Sequence, residues 1–362
     1  MNWRDITNPN AGGAEIVTHE IAKRWIRWGN QVRLLTSKYP SAKSNEIVNG
    51  LTVTRTGGKY SVYLASAYRF LSKYSYSYDV VVDQINSIPF MTPLYCRTPI
   101  VPFVFQLTGE IYRQMLPKSV SPFAIALEPL LLKLYSKCPT IVLSNSTKRD
   151  LVSIGFHPDR VFVCRPGADH DRFTVGPKTQ HPSILYMNRF AKYKNPDHVI
   201  IAFKKVLNAL PNSKLTMAGA RTIDEIQFTE KLVEDLDLLG SVEILPFVGG
   251  EAKAKLLQES WVHVLPSTKE GWGISILEAA ACGTPTVGYN VAGVSDAVQH
   301  METGLLVQSG SVESFAEGII TILKNASLRT SLSDAAAKFA GDFTWDSTAK
   351  EAMIALHKAL EG

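Results

Sequence analysis

The feature that most constrains this chain is a regular alternation, run through twice. Short β-branched apolar runs alternate with amphipathic stretches. In the first half the runs fall at 31–36, 51–55, 80–83, 100–106, 140–145 and 161–164. In the second they fall at 183–188, 214–218, 242–246, 262–266 and 284–289. Several are apolar almost without interruption, as strands buried on both faces of a parallel sheet are. Between them lie helical patterns. Val17, Ile21, Trp25 and Trp28 recur on one helical face that ends near Gly29 and Asn30. Strands alternating with helices predict an α/β fold with doubly wound sheets. The alternation restarts at 183 after a polar, Pro- and Gly-bearing stretch at 175–182, which reads as a hinge. At 362 residues the chain is long enough for two domains. The expected division is an N-terminal domain at 1–174, a C-terminal domain at 183–345 and a last helix at 346–362. A first strand ahead of the helix opening at Gly13 is apparently missing, because residues 2–10 are mostly polar. Its absence would leave two neighbouring strands with unpaired backbone groups.

Composition removes several classes. Hydrophobic residues are 45% and charged residues 20%, so the chain is not disordered. The four cysteines, at 96, 138, 164 and 282, form no C-x-x-C pair. That argues against a thiolate zinc site or a disulfide framework, and suits a reducing cytosol. The eight histidines show no metal-ligand spacing. His19 reads as a surface or packing residue. The start carries no apolar export segment, and no apolar run is long enough to span a bilayer. A cytoplasmic protein is therefore expected. Charge is uneven: residues 1–173 hold 21 basic and 12 acidic side chains, a net +9, and the remainder is −4. A basic half fits an anionic partner. No helix-turn-helix, aromatic RNP strand or basic tract is present, so nucleic acid is not expected.

The segment 266–285, PSTKEGWGISILEAAACGTP, carries the clearest chemistry. It reads as strand end, glycine turn, short helix, turn and next strand. Glu270 sits just past the carboxyl end of a strand, where open α/β sheets bind ligands. Gly271 and Gly273 admit a ligand close to the backbone. The N–H groups near Gly273, Ile274 and Ser275 would open a helix and make a phosphate site. Glu278 lies about one turn further. Two carboxylates flanking an anion site suit the hydroxyls of a sugar nucleotide. Read alone, each glutamate is better explained as a solvated surface group; the glycine turn and P-S-x-x-E-G around them reverse that preference. Arg189 ends a strand and Lys194 falls in the loop after it, as a fork and a point charge for phosphate.

The E-x7-E of residues 270–278 resembles the signature of the retaining glycosyltransferases of family 4 (glycosyl transferases group 1), which have the GT-B architecture. The ordered matches extend over nearly the whole chain: NPNAGGAE at 8–15, SNSTK at 144–148, RPGAD at 165–169 and NRFAKYKN at 188–195. The resemblance implies two Rossmann-like domains facing each other across a cleft, with the acceptor bound by the N-terminal domain and a nucleotide sugar by the C-terminal one. It implies that the last helix crosses back to the N-terminal domain. Arg189 and Lys194 would grip the donor pyrophosphate, Glu278 the ribose and Glu270 the transferred sugar, with Gly12 and Gly13 closing on the phosphates. The implied enzyme is a retaining hexosyltransferase that needs no metal or other cofactor. Its reaction would be a front-face transfer in which the leaving phosphate takes the acceptor's proton. Asp169-His170-Asp171 looks like a manganese D-x-D, but its place before the hinge resembles an ordinary loop of this family. Where the family often carries a His, this chain has Phe105 or Gln106; Gln106 and Glu110 are candidate contacts to sugar or acceptor. A sugar-nucleotide-binding protein without catalysis, or a GT-B phosphorylase or epimerase, would carry the same motifs. A nicotinamide dehydrogenase would not, because no strand leads into G-x-G-x-x-G.

Two stretches of the basic half suggest an acceptor class. Residues 59–78 mix Tyr and Phe with Lys59, Arg69 and Lys73, and 122–138 is strongly apolar with Lys133 and Lys137. Basic, apolar helices of this kind lie in membrane interfaces, although core packing explains them as well. The expected acceptor is a hydroxyl compound, either a glycan or a lipid phosphate, reached from the inner face of the cell membrane by peripheral contact with anionic lipid.

Overall fold

A computed structural model describes residues 1–361. The chain divides into two compact units, one of residues 1–167 with the helix Trp345–Leu360, the other of residues 168–344. The division falls between Gly167 and Ala168, ahead of the expected hinge at 175–182.

The first unit holds β1 (Arg33–Thr36), β2 (Asn45–Val48) and β3 (Leu51–Arg55) in the order β1-β3-β2. It also holds β4 (Val81–Ile85), β5 (Ile100–Val104), β6 (Thr140–Val142) and β7 (Val161–Val163) in sequential, parallel order. β2 runs antiparallel and was not expected; its residues alternate between exposed and half-buried, so no apolar run marks it. The runs at 100–106 and 140–145 give shorter strands, because Val104 and Val142 end the ladders and Ser144 turns to cap the helix Asn145–Ser153.

The supposedly absent first strand is present as a stub. The Met1 ammonium donates to the Val82 carbonyl at 2.6 Å, and Gln84 N–H donates to the Met1 carbonyl at 3.0 Å. On the other side Asn2 N–H donates to the Leu35 carbonyl at 3.0 Å, and Ser37 N–H reaches the Trp3 carbonyl at 3.4 Å. Residues 1–3 thus bridge β1 and β4, satisfying backbone groups that would otherwise be stranded in the interior. The polar run that concealed this stub continues as a pinned loop. Fully buried Arg55 holds Asp5 in a fork at 2.8 and 3.0 Å and also reaches Glu46.

The helix Gly13–Arg27 buries Val17, Ile21 and Trp25, whereas Trp28 lies just past its end and is exposed. Helix Trp345–Leu360 packs on it and buries Ala349, Ala352 and Ala355 fully. Small side chains permit that close approach, and Trp25 Nε1 donates to the Ala349 carbonyl at 3.0 Å.

The second unit is a six-stranded parallel sheet: β8 (Ser183–Met187), β9 (Lys214–Ala220), β10 (Val242–Pro246), β11 (Val262–Leu265), β12 (Thr286–Tyr289) and β13 (Gly304–Val307). Their order, β10-β9-β8-β11-β12-β13, is that of a doubly wound Rossmann sheet with its switch between β8 and β11. β8 and β11 are buried along their whole length, which explains their unbroken apolar sequence. β13 was not expected because its GLLV opens on a glycine and holds a single β-branched residue, Val307. Phe203, Val206, Phe315 and Ile319 pack against the sheet from the flanking helices. Fully burying one such side chain contributes roughly 1.5–3 kcal/mol.

Candidate active site

The carboxyl ends of β8 and β11 carry the cluster. Tyr186, fully buried in β8, donates its hydroxyl to the Arg189 carbonyl at 2.8 Å. Burial pushes this phenol well up, so it remains a donor. Gly219 at the end of β9 has φ +126°, and a Cβ there would lie 2.2 Å from the Asn188 carbonyl. Only glycine lets the two strand ends pass this closely. Beyond them the partly exposed Arg189 guanidinium donates to the Tyr193 hydroxyl at 2.8 Å.

Lys194 closes a short 3-10 turn. Asn195 follows in a left-handed conformation (φ 49°), and its amide donates to the Pro266 carbonyl at 2.6 Å. That clamp ties the Lys194 turn to the end of β11. Lys194 Nζ is ion-paired with Glu270 Oε1, and Ser267 Oγ donates to the same oxygen at 2.7 Å. Lys194 and Glu270 are both buried. Glu270 N–H donates to the Ala292 carbonyl at 3.0 Å, and a Cβ on Gly293 would lie 2.1 Å from the Glu270 carbonyl. The loop after β12 therefore fixes the Glu270 backbone from behind.

Gly273, left-handed at φ 89°, caps the helix Ile274–Ala281, leaving the N–H groups of Gly273, Ile274 and Ser275 half-buried. Glu278 sits one turn along, buried, with Lys253 Nζ 2.5 Å from its Oε2. Lys194 and Glu270 are thus paired where β8 and β11 end, with Arg189 on the loop after β8 and the opening of this helix on the loop after β11, while Glu278 lies further along with a cation of its own. Ser267, Asn195, Gly293 and Lys253 had no role in the sequence reading. Ser267 stood inside the quoted motif; Lys253 lies in an ordinary amphipathic helix and gives no local signal.

In the first unit the candidates are arranged less simply. Gly13 opens its helix, but Gly12 N–H is occupied by Glu15 Oε2 at 2.6 Å, and buried Glu15 is held in turn by Arg4 at 3.4 Å. Gly12 is therefore part of a helix cap rather than a free phosphate donor. Gln106 presents a buried Oε1 with no hydrogen-bond partner, the condition of a group awaiting a ligand. Next to it, Thr108 and Gly109 N–H groups both donate to Glu128 at 2.8 Å, which fixes the turn. Glu110 is exposed and paired with Arg113 at 2.6 Å, so its carboxylate is already engaged. The D-x-D residues have local partners too: Asp169 faces Arg172 at 3.3 Å, and the His170 ring lies 3.0 Å from the Phe343 carbonyl. His19 is buried beside Asn49, a packing residue whose pKa burial lowers.

Comparison with known proteins identifies the family and the fold. A family model described as Glycosyl transferases group 1 matches residues 168–339, and one described as Glycosyltransferase Family 4 matches 11–172. An uncharacterized glycosyltransferase of Methanocaldococcus jannaschii is 30% identical over 246 residues, 64% of this chain and 62% of that protein. A D-inositol 3-phosphate glycosyltransferase of Mycobacteroides abscessus is 30% identical over 234 residues, 61% of this chain and 52% of that one. The chain thus matches about half to three fifths of the length of these curated relatives. Sucrose-phosphate synthase from Thermosynechococcus elongatus superposes with a TM-score of 0.82 at 18% identity, covering 98% of this chain and 97% of that one. Anabaena HepE, solved with UDP and glucose, gives 0.80 at 17% identity with 98% of both chains covered. At such identities the likeness is one of fold: the two Rossmann-like units are those of the GT-B architecture. Matched from residue 11 to residue 339 by its two models, the chain belongs to the family 4, group 1 glycosyltransferases.

Proposed function

We propose that the chain is a metal-independent, retaining hexosyltransferase that moves a sugar from a nucleoside diphosphate sugar to a hydroxyl acceptor. The observation that supports this reading is the buried Lys194–Glu270 pair at the ends of β8 and β11, on the same strand-end loops as Arg189 and the Gly273 helix cap. Cleaving the bond between the sugar C1 and phosphate oxygen builds negative charge on the leaving diphosphate. Two fixed cations and helix-terminal N–H groups meet that charge without a metal. In the free protein Lys194 is held by Glu270; a bound diphosphate takes over the ammonium and leaves the carboxylate to the sugar hydroxyls. As the family resemblance implies, the acceptor oxygen then bonds to C1 on the face the phosphate leaves, and its proton passes to the departing phosphate. Gln106 offers its unpartnered oxygen to a hydroxyl of sugar or acceptor. HepE has been solved with UDP-glucose, which supports a nucleotide-sugar donor here.

Thermal shift with UDP, ADP and GDP, followed by intact labelled donors, tests the reading. Glu278→Ala and Arg189→Ala are each expected to weaken nucleoside diphosphate binding by roughly 10- to 150-fold, the worth of a charged hydrogen bond. Unaltered affinity in both variants contradicts the donor-site assignment.

The acceptor is proposed to be borne by an anionic membrane, as a lipid phosphate or envelope glycan at the inner face. Helix Val62–Arg69 and its flanks expose Tyr60, Leu64 and Tyr68 beside Lys59, Arg69 and Lys73. Helix Ser121–Lys133 exposes Phe123, Leu127 and Leu130 beside Lys133. Apolar side chains fringed by cations suit the surface of anionic lipid. Among the described residues no helix is long and apolar enough to cross a membrane. The chain is expected to float with vesicles containing phosphatidylglycerol at low salt and to sink with neutral ones. Leu64→Ser with Phe123→Ser is expected to abolish flotation, and flotation unchanged by them removes the membrane from the reading.

A further inference from the structure

We propose that Lys253 is a positioning residue that sets how Glu278 discriminates the sugar of the nucleotide, ribose from deoxyribose. This rests on the reading above in which Glu278 accepts from the ribose hydroxyls. Lys253 comes from a different element, the helix Gly250–Glu259, which follows β10 and packs beside the helix carrying Glu278. Ala254 and Leu257 anchor that helix in the same core cluster as Leu277 and Ala281. Lys253 is therefore delivered to Glu278 by a rigid packing contact rather than by a loop. Its ammonium lies 2.5 Å from Oε2 and 5.8 Å from the centre of the Phe173 ring, and its side chain is 18% exposed.

The chemistry follows from what a buried carboxylate requires. Glu278 is 6% exposed, and its Oε2 is sealed from solvent with the Lys253 ammonium against it. A carboxylate so placed needs a counter-charge for its burial and an anchor to stay aimed. Lys253 supplies both through Oε2. The other oxygen, Oε1, is left to accept from the ribose, and the 2′-hydroxyl is the group that separates ribose from deoxyribose. Without Lys253 the carboxylate loses its counter-charge and its anchor and swings, and the preference for the hydroxyl is lost.

The test is calorimetric binding of UDP and 2′-deoxy-UDP, or of the ADP or GDP pair if that base binds the wild-type chain. Wild type is expected to prefer the ribonucleotide by about 30-fold. Lys253→Met is expected to weaken the ribonucleotide by about 20-fold while moving the deoxynucleotide less than threefold, so that the preference nearly vanishes. Lys253→Arg, which keeps the charge and the reach, is expected to restore most of it. Equal weakening of both nucleotides in Lys253→Met is what general damage to the fold produces and overturns the proposal, as does an unchanged ratio. A wild-type chain that binds no nucleoside diphosphate refutes the donor-site reading itself; binding with a ratio insensitive to residue 253 refutes only the role of Lys253.

Discussion

Lys194→Met is expected to lower kcat/KM for sugar transfer by about 10²- to 10³-fold, the typical loss when one fixed stabiliser of developing negative charge is removed. It is also expected to lower folding stability by roughly 3–5 kcal/mol, because the Glu270 carboxylate is then buried without its cation. Adding Glu270→Gln should separate the two effects. With both charges gone no buried ion is left alone, and the hydroxyl of Ser267 still has an amide oxygen to meet, so most of the stability returns. Activity does not return, since neither the phosphate clamp nor the sugar contact has been rebuilt. Urea unfolding and initial rates on the two single variants and the double variant provide the cycle. A double variant that regains both stability and rate would make the pair a packing device and move the chemistry elsewhere.

The parts of this site legible in sequence are those in which one short segment holds both the backbone geometry and the charge. Glu270, Gly273 and Glu278 share a strand–turn–helix unit, so their relation was fixed by local spacing. Arg189 and Lys194 were legible for the same reason. Lys253 was not, because its partner lies on another helix and nothing in the heptad around it differs from a solvated face. Gly219 and Gly293 were equally silent: each is required by a neighbouring backbone contributed by a distant segment. Two candidates already have a partner within a single turn in the free protein. Gly12 carries a glycine loop's sequence, yet Glu15, three residues on, takes its N–H. Glu110 stands at the expected place, yet Arg113 one turn later engages it. In the fold, β8 and β11 were plain because burial on both faces demands unbroken apolar sequence. β2 and the 1–3 stub were hidden because a half-exposed edge, and a stub only three residues long, make no such demand.

That stub leads to an expected result on stability. Residues 1–3 fill only part of the space between β1 and β4. Behind Met1 lies a cavity of about 250 Å³ lined by Trp25, Leu34, Val81, Phe103 and Leu356. The Met1 amino group is held against the Val82 carbonyl, and burial lowers its pKa from 8.0 to about 6, against the opposing pull of Asp83. Between those values the unfolded chain binds a proton that the folded chain does not, so stability rises with pH. The gain from pH 6 to pH 8 is about 2 kcal/mol, with little further change above it from this group. Placing four β-branched apolar residues ahead of Met1 replaces the ammonium with an amide that still donates to Val82 and lets new side chains enter the cavity. Each side chain buried there adds roughly 1.5–3 kcal/mol, and the pH slope between 6 and 8 disappears. A Gly-Ser extension of equal length removes the slope but fills nothing, so its stability at pH 8 stays near that of the unextended chain. Thermal unfolding at pH 6, 7 and 8 distinguishes the three proteins. A flat profile for the unextended chain would mean that its amino group is solvated, and equal melting of the two extended forms would mean that the cavity does not accept a strand.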